Sequence, residues 1–398
     1  MSLSLSMIVR DEAASLAACL ASVRGFVDEM VVVDTGSGDG TAAIAEAAGA
    51  VVRHLPWPGD FAAARNAALG WVSGDWVLVL DADERLRPEA MPPLREAMAQ
   101  PGVVLITLLR QECGALQSPY SSVSRLFRRH PAIRWSRRYH AMVDDSVEAL
   151  LAREPHWRVL HVPEPALLHE GYRPERIEAG GKAERLREAM EAELRRDPAD
   201  PYTCSKLGGL EISGGNRARG VSLLQRGLAH CPPDAHPERY ELLLHLALAL
   251  KDDAPEAALD LYRQALALPL DPRLTLAARV NLASQLLGLG QTAAAVALDR
   301  ETTRIAPELA LGWLQLGLSL RRGGDLPGAI AAYRQALAIE PTRGEAHQNL
   351  ALALLLAGDV LGARRHFQSA ISHLEAQGRL DAAAALRRSA GTLVKLEP

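Results

Sequence analysis

A chain of 398 residues is too long for one ordinary core, and two or three domains are expected. Its 48% hydrophobic and 23% charged residues exclude a disordered chain, and a net charge of -4 argues against a general nucleic-acid binder. The four cysteines form no Cys-x-x-Cys pair, Met1 to Arg10 lack the order of a signal peptide, and no apolar run reaches the roughly 20 residues of a membrane helix; a cytoplasmic protein without a zinc ribbon or disulfide framework is expected.

The first half alternates strand and helix signals. Leu3 to Val9 is a β-prone run, and Glu12 to Gly25 carries apolar residues at helical spacing. Met30 to Val33 is a fully apolar strand of the kind buried in a parallel sheet. A helix from Thr41 to Gly49, a strand starting at Val51, a helix from Phe61 to Trp71 and a strand from Trp76 to Leu80 follow. This alternation predicts an α/β sheet with helices on both faces, whose ligands bind at the carboxyl ends of the strands. Asp34 and Asp81 sit at such ends.

A charged helix from Pro174 to Arg196 and the break Asp197-Pro-Ala-Asp-Pro201 separate this half from a helical, repeating one. Leu316, Gly324-Asp325, Ala329, Tyr333 and Ala336 recur 34 residues later as Leu350, Gly358-Asp359, Ala363, Phe367 and Ala370. Fainter copies hold Leu282, Gly290 and Ala295, then Ala258, Tyr262 and Ala265, then Leu207, Gly215 and Pro232. A small residue where two helices cross, an aromatic filling the gap and a proline ending the pair make the tetratricopeptide pattern. Five units fit between Pro201 and Gln377, capped by a helix from Leu380 to Val394.

Two segments carry chemistry. Asp34-Thr-Gly-Ser-Gly-Asp-Gly-Thr41 follows a strand and opens a helix, so a nucleotide fits across it, although plain strand-helix turns share this composition. Asp81-Ala-Asp83 puts two carboxylates just past a buried strand, which costs free energy unless a positive group sits there. A hard divalent cation with a diphosphate meets that need.

Four motifs, Met7-Ile-Val-Arg-Asp-Glu12, Val31 to Thr41, Asp60-Phe-Ala-Ala-Ala-Arg-Asn66 and Asp75 to Glu84, resemble family 2 glycosyltransferases of the nucleotide-diphospho-sugar transferase (GT-A) fold. The branch most resembled fuses that domain to tetratricopeptide repeats and includes peptide glycosyltransferases of the sublancin type. The resemblance implies a Rossmann-like GT-A domain over 1–173, a linking helix over 174–200 and an all-α repeat solenoid with its cap over 201–398. It implies an inverting, metal-dependent hexosyltransferase using Mn²⁺ or Mg²⁺ and a nucleotide-sugar, a UDP-sugar being expected. Val9, Asp34, Gly36, Ser37, Arg65 and Asp81 are then donor contacts, Asp83 and His169 metal contacts, and Lys182 and Arg185 neutralise diphosphate. Ser124-Arg-Leu-Phe127 and Tyr139-His140 resemble a block lining the acceptor side. The acceptor hydroxyl or thiol is expected on a peptide or protein held by the repeats.

Position 141 departs from the family pattern, which places glutamate after the histidine at 140; here it is Ala141. A base must still take the acceptor proton. Asp144, Asp145, Glu112 and His140 are the candidates, with Asp83 beside them in the catalytic group. Ala141 also leaves open a second class, a worn-out transferase acting as a repeat-based scaffold. The arginine-rich stretch Arg125, Arg128, Arg129, Arg134, Arg137 and Arg138 reads either as an anion site or as solvated surface. Leu311, Leu314 and Leu318 read either as packing or as a surface for a partner or a second copy.

Overall fold

The computed structural model describes residues 1–115, 117–170 and 182–396, apart from the side chains at 182, 183 and 185. Two compact units are present, Met1–Leu210 and Glu211–Pro398.

The first unit is built on one sheet. Its elements are β1 (Leu3–Val9), α1 (Leu16–Ser22), β2 (Glu29–Asp34), α2 (Thr41–Ala47), β3 (Val51–His54), α3 (Phe61–Leu69), β4 (Trp76–Val79), β5 (Glu84–Leu86), α4 (Met91–Ala99), β6 (Val103–Glu112), β7 (Tyr120–Arg128), α5 (Asp144–Arg153) and β8 (Arg158–His169). The strand order is β3-β2-β1-β4-β7-β6-β8-β5. The first four strands are parallel, β7 runs against both β4 and β6, and β5 runs against β8. The all-apolar β4 is explained by burial on both faces: Trp76 and Leu78 enter one core, Val77 and Val79 the other.

The expected helix from Glu12 starts later, at Leu16. The preceding residues are held by the neighbouring turn. The backbone N–H groups of Asp11, Glu12 and Ala13 donate to Ser37 Oγ, Thr41 Oγ1 and Asp39 Oδ2 at 3.0, 2.8 and 3.1 Å. These residues are bound into the turn after β2, and Asp11 takes a φ of +55°, outside the helical region.

An irregularity in β7 matters for the site. Val123 packs on one core and Phe127, four residues on, packs on the other. An unbroken strand would put both on the same face. The β6–β7 register shifts between Ile106 and Thr107, which pair with Leu126 and Ser124, so Arg125 is the extra residue of a bulge.

The second unit is helical. Its helix pairs are His236–Leu250 with Pro255–Leu266, Leu276–Gly288 with Thr292–Ile305, Ala310–Arg322 with Leu326–Ile339, and Gly344–Leu356 with Val360–Ala376; Leu380–Gly391 follows. Helix Pro201–Ser213, within which the boundary at Leu210 falls, and helix Arg217–His230 occupy the span of the faintest repeat. Tyr262, Tyr333 and Phe367 are buried with Ala258, Ala329 and Ala363, so the repeated aromatics and small residues are core. The Gly-Asp pairs have a local cause. Gly324 and Gly358 take φ of +85° and +86°, which only glycine adopts without strain. Asp325 and Asp359 then cap the next helix by accepting from Gly328 and Gly362 N–H at 2.9 and 2.8 Å. Leu311 and Leu314 are buried and Leu318 packs on a core, which favours the packing reading.

Candidate active site

The parallel strands β1, β2 and β4 end together, and the site begins at their ends. Asp34 closes β2. Its Oδ1 accepts from Gly36 and Ser37 N–H at 3.0 and 2.8 Å, and Oδ2 lies 3.7 Å from His54 Nδ1. Burial would raise its pKa, but these turn hydrogen bonds outweigh it and hold the carboxyl below the usual range. Gly36 has a φ of +109°, and Ser37 Oγ accepts from Asp11. The Val9 carbonyl accepts from the backbone and the hydroxyl of Thr35. Thus Val9, Asp34, Gly36 and Ser37 lie together, and much of their hydrogen bonding shapes the turn itself.

Asp81 follows β4 and stands between two guanidiniums. Arg65 Nη2, from α3, lies 2.6 Å from Oδ1, and Arg125 Nη2, from the β7 bulge, lies 2.5 Å from Oδ2. Burial opposes ionisation, yet Arg125 and Arg65 hold the carboxyl well below the usual range. Each arginine also keeps a buried Nη1 with no hydrogen-bond partner among the described residues. Arg65 stacks over the Trp135 ring at 4.8 Å, which fixes its plane. The sequence named Arg125 in a cationic stretch and in the Ser124–Phe127 block on the acceptor side, not as a partner of Asp81. Its place in the site depends on the bulge, which leaves no mark in composition.

Behind Asp81 lies a buried ionic frame. Glu84, fully buried, accepts the Asp81 N–H at 2.9 Å and pairs with Arg110 at 2.5 Å. Arg110 also pairs with Glu112 at 2.8 Å. Glu112 lies 2.5 Å from His169 Nδ1, and His169 Nε2 lies 3.4 Å from Asp83 Oδ2. Burial would lower the His169 pKa, but Asp83 and Glu112 push it up to about 9. Asp83 and Glu170 are also joined through the backbone, Glu170 N–H donating to the Asp83 carbonyl at 3.1 Å. The β5–β8 pairing thus brings together residues from distant parts of the chain.

Asp144 opens α5. Ser124, beside Arg125, donates to it at 2.6 Å, and burial raises its pKa despite that bond. Asp145 is bound by Ser136 at 2.5 Å and Arg137 at 3.4 Å. His140 takes a φ of +51° and lies edge-on to the rings of Tyr139 and Tyr202. Ala141 packs on the core beside α5. Arg137 pairs with Asp200 at 2.8 Å and Arg128 lies over Trp76, so these members of the arginine stretch are engaged inside the fold. The side chains of Lys182 and Arg185 lie outside the described residues.

A metal needs to be tested against this donor set. Among the described residues no group of three or more His, Cys, Asp and Glu is arranged to hold one. Asp83 Oδ2 and His169 Nε2 do face each other; the carboxylate oxygen suits either Mn²⁺ or Mg²⁺, and the imidazole nitrogen suits the transition metal Mn²⁺ better than Mg²⁺. They fit a metal whose remaining ligands come from a diphosphate.

Residues 4–160 match the family described as glycosyl transferase family 2, and residues 317–358 match a TPR repeat. A TPR repeat-containing protein of Synechococcus elongatus is 47% identical over 305 residues, covering 76% of this chain and 75% of that one. An uncharacterized glycosyltransferase of Rickettsia felis is 43% identical over 83 residues, 21% of this chain and 29% of that one. The SPbeta prophage-derived glycosyltransferase SunS of Bacillus subtilis is 23% identical over 202 residues, 49% of this chain and 46% of that one. No described helix is long and apolar enough to cross a membrane.

Proposed function

We propose a specific reaction for this chain, which belongs to glycosyltransferase family 2 and carries tetratricopeptide repeats: inverting transfer of a sugar from a UDP-sugar to a hydroxyl or thiol on a peptide or protein. The observation that carries it is the pair of carboxylates after β4, Asp81 between two arginines and Asp83 facing His169.

In this reading Asp34 and its turn receive the nucleoside, and Arg65 and Arg125, each with a spare buried nitrogen, receive donor oxygens. Asp83 and His169 hold Mn²⁺ or Mg²⁺, which when bound neutralises charge on the departing diphosphate. The base is Asp144. Asp145 and Glu112 are committed to arginines and hydroxyls, whereas Asp144 is half-buried, takes a hydrogen bond from Ser124 and has a raised pKa. A raised carboxyl pKa suits proton abstraction. Asp144 takes the acceptor proton, the acceptor oxygen or sulfur attacks the anomeric carbon, and the nucleoside diphosphate leaves from the opposite face. The repeats supply the surface for the acceptor. Four free cysteines suit a reducing cytoplasm.

A screen of nucleotide-sugars for Mn²⁺-dependent release of nucleotide tests the reading. Release from a UDP-sugar supports it. Ala141 favours the scaffold alternative, which predicts no release from any donor and no Mn²⁺-dependent UDP binding.

A further inference from the structure

We infer that Glu112 is the positioning residue that sets His169 for the donor site; this rests on the metal and diphosphate role proposed for His169 and extends it. The two residues are register partners on the neighbouring parallel strands β6 and β8. Glu112 Oε2 lies 2.5 Å from Nδ1 of the imidazole, and the other ring nitrogen, Nε2, lies 3.4 Å from Asp83 Oδ2. A carboxylate at Nδ1 fixes the ring plane and decides which nitrogen is turned toward Asp83.

Glu112 is built for this task. Its Oε1 is occupied by Arg110 Nε at 2.9 Å, Arg110 Nη2 at 2.8 Å and the Ser121 hydroxyl. That leaves Oε2 for the imidazole. The backbone is pinned as well: Glu112 N–H donates to the Pro119 carbonyl at 2.8 Å, and Cys113 N–H donates to the His169 carbonyl at 2.9 Å. Arg110 continues to Glu84, which accepts the Asp81 N–H. One buried frame therefore sets both the His169 ring and the start of the Asp81-Ala-Asp83 turn.

The diagnostic variant is Glu112→Gln, which keeps shape and removes charge. Arg110 and Ser121 donate to whatever occupies Oε1, so they select the amide carbonyl. The amide NH₂ then faces Nδ1, and a donor there forces the proton onto Nε2, the nitrogen meant for the metal. A change of one atom thus removes the proton from Nδ1 and leaves it on Nε2, while the fold is retained.

Two readouts in the full chain test this. The first uses the metal-free protein labelled with ¹⁵N-histidine, with His169 assigned by its loss in His169→Ala. Wild type, whose ring is held in the protonated form between Glu112 and Asp83, shows a protected Nδ1–H beside its Nε2–H; Glu112→Gln loses the Nδ1–H and keeps a proton on Nε2 alone. The second is calorimetry of Mn²⁺ with UDP. Glu112→Gln weakens Mn²⁺ binding by about 10–100-fold, the size typical of a lost partner behind a metal ligand. Glu112→Asp, which keeps the charge but withdraws the carboxylate, also loses the protected Nδ1–H and serves if the glutamine variant does not fold. A protected Nδ1–H that survives in these variants overturns the inference. So does wild-type Mn²⁺ affinity in Glu112→Gln when His169→Ala abolishes it. If His169→Ala itself binds Mn²⁺ and UDP normally, the metal role of His169 falls, and the Nδ1–H signal alone decides whether Glu112 orients the ring.

Discussion

Asp81 and Asp83 stand two residues apart and face different partners. Asp81 is gripped by Arg65 and Arg125, whereas Asp83 faces the His169 imidazole. The two carboxylates therefore do different work, and their removal should have different consequences.

Removing Asp83 should affect the donor alone. Asp83→Ala and His169→Ala are expected to weaken Mn²⁺-dependent UDP binding by about tenfold or more, while His156→Ala leaves it unchanged. Calorimetry with UDP and Mn²⁺, beside a thermal melt, checks this. Unchanged affinity in folded Asp83→Ala would remove the metal role.

Removing Asp81 should also loosen the fold. Asp81→Ala leaves the nearly buried guanidiniums of Arg65 and Arg125 facing each other without a shared counter-charge. Because Asp81 itself is partly open to water, a loss of roughly 2–3 kcal/mol is expected, below the full cost of breaking a buried pair. Urea unfolding of the two variants compares them directly. Equal stability for Asp81→Ala and Asp83→Ala would contradict the frame described above.

Asp299 predicts a pH dependence in the second unit. Burial raises its pKa to about 6, against the donated hydrogen bond from Ser319 at 2.6 Å. The folded protein thus favours the protonated acid. Its contribution is fully present below the unfolded value near pH 4 and is lost as pH rises through 6. Asp299→Asn cannot ionise, so its stability relative to wild type should improve by on the order of 2–3 kcal/mol between pH 4 and pH 8. Denaturant melts at both values check the sign; a flat difference would show that Asp299 ionises freely.

Gly317 tests the repeat packing. A Cβ there would stand 2.4 Å from the Tyr333 ring, which is fully buried and has nowhere to move. Gly317→Ala gains about 1 kcal/mol of helix propensity, but overpacking of this kind costs typically about 1–3 kcal/mol. A net fall in the melting point of the second unit is expected, and an increase would mean that the helices separate easily.

Much of this was legible in the sequence, for reasons that differ by region. The repeats announce themselves because each needs the same small residue, aromatic and Gly-Asp turn, and 34-residue spacing records that need without a structure. The centres of β2 and β4 and the turns after them were equally open, because Val31–Val33 and Trp76–Val79 are buried and apolar throughout and their loops carry the polar groups. Local chemistry thus determined the fold class and the place of Asp34, Asp81 and Asp83.

The rest depended on pairing between distant strands. Glu112 and His169 are ordinary polar residues until β6 and β8 lie in register, and Glu84 is an ordinary third acid until Arg110 reaches it. Arg125 was one arginine among many until a bulge in β7 turned it toward Asp81. Burial and register are properties of the folded chain, and they decide which charges meet in a low-dielectric interior. The sequence by itself determined where the carboxylates stand; only the tertiary structure decided which cation each one holds.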